Sequence, residues 1–172
     1  MAEVFLSLGS NIHRERYITA ALDGLAERFG NIACSSVYES EAVGFDGDHF
    51  YNLVVAIKTG LSVGALSKTL RQLEKENDRG REAPRFSART LDVDILSYDQ
   101  IKGVVDGILL PREEILQNAF VLKPLAELEP DHCHPLEGKT YAALWQNFDQ
   151  SSQRLWRVPF VWRGRNLGAS AS

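Results

Sequence analysis

"YNLVVAIKT", from Tyr51 to Thr59, is nearly all apolar, carries β-branched residues and has no breaker inside it. A run this short and this apolar reads as a strand covered on both faces, and so as a central one. Just upstream, "GFDGDH" (Gly44 to His49) reads as a loop, and Ile32 to Ser40 as a strand with β-branched and aromatic character. Before that, Ile18, Leu22, Leu25 and Phe29 recur at helical spacing, with Gly30 as a stop and a first strand over Val4 to Leu8. Downstream, Ser62 is placed to cap a helix whose Leu66, Leu70 and Leu73 line one side. The segment from Asp78 to Ala88 is polar, basic and broken by Gly80 and Pro84; Leu91 to Tyr98 is the next strand.

The order strand, helix, strand, strand, helix, strand predicts an α+β fold with a ferredoxin-like βαββαβ core, its helices on one face of an antiparallel sheet. A short helix near Pro111 and helical stretches over Val121–Leu128 and Tyr141–Asn147 are expected to cover the other face, giving a three-layer α/β/α sandwich. Nothing resembling a repeat or a linker divides residues 1–162, which are expected to form one domain. The last stretch, "RGRNLGASAS" from Arg163, is expected to be a disordered tail of small residues.

At 172 residues the chain can bury a sizeable core, and 44% hydrophobic with 24% charged residues is an ordinary globular balance. No apolar run reaches membrane-spanning length, and "MAEVFLSLGS" lacks the basic start and cleavage site of a signal peptide, so a cytoplasmic protein is expected. Cys34 and Cys133 form no metal or redox spacing and read as reduced thiols. The formal net charge of −4 speaks against a general nucleic-acid binder. Yet Arg79, Arg81, Arg85 and Arg89 crowd one short stretch, and a local positive patch on an acidic protein suits a small anionic ligand.

In "TLDVDILSY", alternation puts Asp92, Asp94 and Leu96 on one strand face and Leu91, Val93 and Ile95 on the other. Carboxylates two residues apart stand roughly 6–7 Å apart at the backbone and repel unless cations lie between them. Hard cations such as Mg²⁺ combine one or two carboxylates with phosphate oxygens, and guanidinium forks grip phosphate. Aspartates, a metal and arginines together form the kit of phosphoryl transfer, where positioning and charge neutralisation supply most of the catalysis. Leu8–Gly9–Ser10 is too short for a phosphate cradle, and His132–Cys133–His134 lacks the partner pair of a metal site. His13 and His49 read as surface residues, and the aromatics of "RLWRVPFVW" as packing. A palm-type nucleotidyl enzyme shares the fold and the paired acids, but places them on the first strand and central hairpin, whereas here they lie on the last strand of the repeat. A nucleic-acid module would want an aromatic "RGFGFV"-like strand, which is missing.

These residues resemble the 6-hydroxymethyl-7,8-dihydropterin pyrophosphokinases of folate biosynthesis. The likeness runs from about Val4 to Pro130, through "LGSN", "GFDGDHFYN", "RFSARTLDVDIL" and "FVLKPLAELEP". It implies a ferredoxin-like sandwich that moves pyrophosphate from ATP to the hydroxymethyl of the pterin and releases AMP. By the same resemblance, Asp92 and Asp94 bind two Mg²⁺ ions, and Arg79 and Arg89 are catalytic contacts to the phosphates. Glu74, Arg81, Arg85, Phe86 and Arg112 fall on the ATP side. Phe50 and Phe120 stack on the pterin; Asn52 reads its edge with Ser40, Ala42 and Val43. ATP and the pterin are the expected partners of a monomer, without nucleic acid or membrane; a non-catalytic or altered-specificity relative is the alternative. Departures from the family pattern are Arg112 in place of a histidine, Asn118 in place of a basic residue and Phe86 in place of a tryptophan. Ser87–Ala88 replaces glycine–proline, and Glu82 a common lysine. Residues 78–88, with little apolar anchor, are expected to close over bound nucleotide.

Overall fold

The computed structural model describes residues 1–41, 48–77 and 90–168. Five strands follow one another across the main sheet in the order β5 (Asp92–Tyr98), β1 (Ala2–Ser10), β4 (Phe50–Thr59), β3 (Tyr38–Ser40) and β8 (Leu155–Arg157), with β2 (Ala33–Cys34) also on β4. Every pairing in it is antiparallel. The apolar run at residues 51–59 is therefore central, as its composition predicts.

Alternation on these strands divides the core. Val4, Leu6 and Leu8 of β1, Leu53, Val55 and Ile57 of β4, and Val93 and Ile95 of β5 pack against α1 (Arg14–Phe29) and α2 (Val63–Glu76). Each helix presents a leucine-rich stripe to the sheet: Ile18, Leu22 and Leu25 on α1, and Leu66, Leu70 and Leu73 on α2. Gly30 ends α1 at φ 77°, a left-handed value that costs glycine little, and its N–H reaches Ala26 O at 2.9 Å. Ser62 starts α2 by accepting from Ala65 N–H at 3.2 Å.

Phe5, Val54 and Leu96 point to the opposite face, where they meet Ile115, Leu122, Leu125 and Tyr141. Those residues come from α3 (Glu114–Gln117), α4 (Ala119–Leu128) and α5 (Tyr141–Gln146), which follow the small hairpin of β6 (Gly103–Val105) and β7 (Ile108–Leu110). Helices thus cover both faces of a mixed α/β structure, and no described helix is long and apolar enough to cross a membrane.

Two expectations need correction. Residues 32–40 do not form one strand. Cys34 pairs with Val55 and Tyr38 with Asn52, so four steps on one strand face three on the other. The extra residue is a bulge, held where the Ser35 hydroxyl accepts from Val54 N–H at 3.0 Å while Ser35 N–H donates to Val54 O. Nor does the ordered chain stop at Trp162. β9 (Val161–Trp162) pairs with β10 (Arg165–Asn166), Leu167 is buried, and its carbonyl accepts from Val37 N–H at 2.5 Å. Phe160, Trp162 and Leu167 join the α1–α2 core, and Trp162 Nε1 donates to Asp23 at 3.0 Å. The apolar content of this segment outweighs its glycines; the small-residue stretch proper begins at Ala169, outside the described residues.

Candidate active site

Strand register lines up one row of side chains across the face covered by α4. Gly9 of β1 is paired with Asp92 on one side and with Asn52 on the other, and Asn52 is paired with Tyr38. Partners in register share a face, so the carboxylate, the glycine, the amide and the phenol form a single line. With strands about 4.8 Å apart, Asp92 and Asn52 stand roughly 10 Å from one another at the backbone. Gly9 lets the neighbouring side chains close over the middle of this row: a Cβ there would lie 3.0 Å from Asn52 Oδ1 and 3.8 Å from the Phe50 ring.

Asn52 is 6% exposed and its Nδ2 donates to Ser40 Oγ at 2.8 Å, which fixes the amide's orientation from a neighbouring strand. Phe50, two residues earlier on β4, shares the face of Asn52 and pairs with Ser40. Phe120, in the first turn of α4, walls a cavity of about 250 Å³ together with Ser40, Glu41, Ala119 and Gln153. Gln153 anchors that turn, accepting from Ala119 N–H at 2.8 Å and donating to Gln117 O at 2.8 Å. Phe50, Asn52, Ser40 and Phe120 thus all stand on this one side of the sheet.

At the β5 edge, Asp92 and Asp94 leave the sheet on the same face, both half-buried. Asp94 is bracketed by cations. Arg71 Nη2 lies 3.1 Å from Asp94 Oδ1, and Arg112 Nη1 stands 4.0 Å from the same oxygen. Arg112 is held by Glu114, Nε to Oε2 at 2.7 Å. Burial alone would raise the Glu114 pKa, but the Arg112 hydrogen bond and charge outweigh it and hold the carboxyl below its ordinary range.

Glu74, expected beside the nucleotide, is 2% exposed. Its Oε2 accepts from Val93 N–H at 2.8 Å, and its Oε1 pairs with Arg71 at 2.9 Å. The Arg71 guanidinium also donates to Val93 O. Sequence reasoning missed Arg71; its signal was the arginine three residues before Glu74 on one helix face. Gly9 was missed as well, since only the pairing of β1 with both neighbours shows what packs against it. Of the other expected site residues, Ala42, Val43, Arg79, Arg81, Arg85, Phe86 and Arg89 lie outside the described residues, as does the closing segment 78–88. His134 is spent locally: its Nδ1 accepts from Leu136 and Glu137 N–H at 3.1 and 3.2 Å, and burial lowers its pKa. Among the described residues no three metal-ligating side chains cluster.

A model of the 7,8-dihydro-6-hydroxymethylpterin-pyrophosphokinase (HPPK) family matches residues 5–130, the span that carries every described row residue and both aspartates. The chain belongs to the HPPK family. Among its HPPK relatives, a 2-amino-4-hydroxy-6-hydroxymethyldihydropteridine pyrophosphokinase of Bacillus subtilis is 34% identical over 157 residues, covering 89% of each chain. The protein of the same name from Aquifex aeolicus is 36% identical over 81% of this chain and 88% of its own. That of Pseudomonas aeruginosa is 38% identical over 74% and 81%. In three dimensions the fold is shared with the crystal structure of Plasmodium falciparum HPPK-DHPS, at a TM-score of 0.64 and 15% identity. That match covers 86% of this chain but only 43% of the solved one. Residues beyond 130, including β8 to β10, lie outside the HPPK family match.

Proposed function

We propose that this protein transfers pyrophosphate from ATP to the hydroxymethyl group of 6-hydroxymethyl-7,8-dihydropterin, releasing AMP, as an ATP-dependent diphosphotransferase of folate biosynthesis. One observation carries the reading: Asp92 and the Asn52–Ser40 pair stand on one sheet face, separated by a residue without a side chain, in a chain of this family. That row provides an anionic end for a metal–phosphate and a polar, aromatic end for a flat heterocycle, at a separation that a phosphate chain spans.

The reaction forms a bond from the hydroxymethyl oxygen to the β-phosphorus of ATP. It breaks the α–β bridge so that AMP departs with the bridging oxygen, and the hydroxyl proton is lost. Asn52, held by Ser40, orients the heterocycle's edge, while Phe50 and Phe120 offer their rings to its faces. The hydroxymethyl group then points along the row toward the aspartates. Two half-buried carboxylates on an open strand face fit hard, oxygen-seeking cations: Asp92 and Asp94 would hold two Mg²⁺ ions. When bound, such ions neutralise phosphate charge and align the transferring group. Arg79 and Arg89 are assigned to the transferring phosphates, and Arg81, Arg85, Phe86 and Arg112 to the nucleotide. Glu74 acts there through Arg71 and β5. Ala42 and Val43 complete the pterin contacts through their backbone.

The same reading takes the core as ferredoxin-like within a three-layer α/β/α sandwich. The strand order β5-β1-β4-β3 and the helices on both faces support it. It takes the protein as a cytoplasmic monomer acting on two small molecules. The test is to incubate the protein with ATP, Mg²⁺ and hydroxymethyldihydropterin and to separate the products. AMP and pterin pyrophosphate should appear in equal amounts, and neither without the pterin. Binding of both substrates without AMP release would make the protein a non-catalytic relative.

A further inference from the structure

Val93 lies between the two aspartates on β5, which among the described residues is an edge strand paired with β1 alone. Its backbone N–H and C=O therefore point outward, where an edge strand is normally left to water. Here α2 takes both. Glu74 accepts the N–H at 2.8 Å, and Arg71 donates to the C=O. The same Nη2 of Arg71 reaches Asp94 Oδ1 at 3.1 Å, while its Nη1 is pinned to Glu74 Oε1 at 2.9 Å. Glu74 is almost wholly buried, with a side chain 3% exposed, so this end of the contact is fixed. The Arg71–Asp94 end is not: the two side chains are 42% and 31% exposed, and water and ions reach both.

We infer that Arg71 is a positioning residue that serves Asp94 as a stand-in cation until the metal arrives. The inference rests on the proposed metal role of Asp92 and Asp94. Without metal, two like charges on one strand face repel, and the guanidinium offsets that repulsion while gripping the peptide between them. A divalent cation arriving at Asp94 competes with Arg71 for the same oxygen. Arg71 then yields Asp94 but keeps Glu74 and the Val93 carbonyl, so the strand stays in place as the charge changes hands. Cation binding in the absence of nucleotide is correspondingly weak. The cation is favoured once phosphate oxygens add to its ligands, which orders binding as metal with nucleotide rather than metal first.

Mn²⁺ serves as the probe, with its free concentration followed by electron paramagnetic resonance on the full chain. Arg71→Gln retains a donor for Val93 O and removes the charge. It should bind Mn²⁺ alone about fivefold more tightly than the wild type, the equivalent of about 1 kcal/mol for a partly exposed ion pair. It should also melt at a lower temperature without metal, and Mn²⁺ should raise its melting point more than the wild type's. Arg71→Lys, which keeps the charge, should restore the wild-type Mn²⁺ affinity. A purely structural arginine would give the opposite sign, since disordering Asp94 weakens the cation site. Unchanged or weaker Mn²⁺ binding by Arg71→Gln overturns the stand-in role. Asp92→Asn separates the two readings: if it leaves Mn²⁺ binding with a non-hydrolysable ATP analogue intact, the metal assignment itself fails, and the role of Arg71 with it.

Discussion

Leu8, Leu53 and Val93 lie side by side on β1, β4 and β5, and none is more than 1% exposed. One residue further along β1, and one back along β4 and β5, stand Gly9, Asn52 and Asp92. The two rows are adjacent, built on the same backbones by the same pairing, and they face opposite ways. The first is closed by the leucines of α1 and α2. The second runs out past the end of the Phe5–Val54–Leu96 cluster, where Asn52 is buried but the aspartates are half-exposed. A closed row contributes stability through buried apolar area. The open row holds polar and charged side chains at a partly exposed edge, where an ion pair such as Arg71–Asp94 is screened by water and contributes little stability. Alternation lets one strand do both without compromise, because a change on one face leaves the other's packing alone.

Substitution in each row should separate the two. Asp92→Asn or Asp94→Asn should lower turnover by at least about 10³-fold, the scale of losing metal and phosphate stabilisation. Neither should lower the melting temperature by more than a few degrees, since removing one of two like charges relieves repulsion. An AMP-release assay paired with thermal melting decides this, and near-native turnover by either variant would detach the row from the chemistry. Leu53→Ala should show the reverse. It empties a fully buried site and should cost about 2–5 kcal/mol in urea unfolding, while the folded fraction keeps its KM for both substrates. A selective rise in one KM would mean that the closed face reaches into the site. The smallest effect is expected within the open row. Asn52→Ala should weaken pterin binding by about 1–3 kcal/mol and leave the ATP analogue's affinity unchanged in calorimetry. Equal losses for both ligands would show that the row is one pocket rather than two ends.

Much of this division was legible in the residues. The alternation in "TLDVDIL" put Asp92 and Asp94 opposite Val93 and Ile95, and the structure sends those apolar residues to the α1–α2 core. The leucine spacing of α2 and the Ser62 cap were equally readable, because helix periodicity and capping act within a few residues. The break at Ser35–Val37 was not, since it depends on what Val54 and Leu167 offer from other parts of the chain. Glu74 carried a family expectation of lying near nucleotide, yet nothing local could show that its carboxylate is buried against the backbone of β5. Cys34 makes the same point: burial, opposed by nearby Arg165, pushes its thiol up to about 11, and that arginine lies far along the chain.

By itself, then, the sequence determined the elements, the two chemical characters of each strand and the pair of carboxylates, because these follow from periods of two and 3.6 residues and from side-chain type. Tertiary structure alone decided that Gly9 leaves room for the Asn52 side chain to lie against β1, that Ser40 orients the amide, and that Arg71 and Glu74 clasp the peptide of Val93. The physical reason is register. Which residues of β1, β4 and β5 stand in one row, and which turn of α2 meets the edge of β5, is set by strand pairing and core packing over separations of tens of residues. No local pattern carries that information.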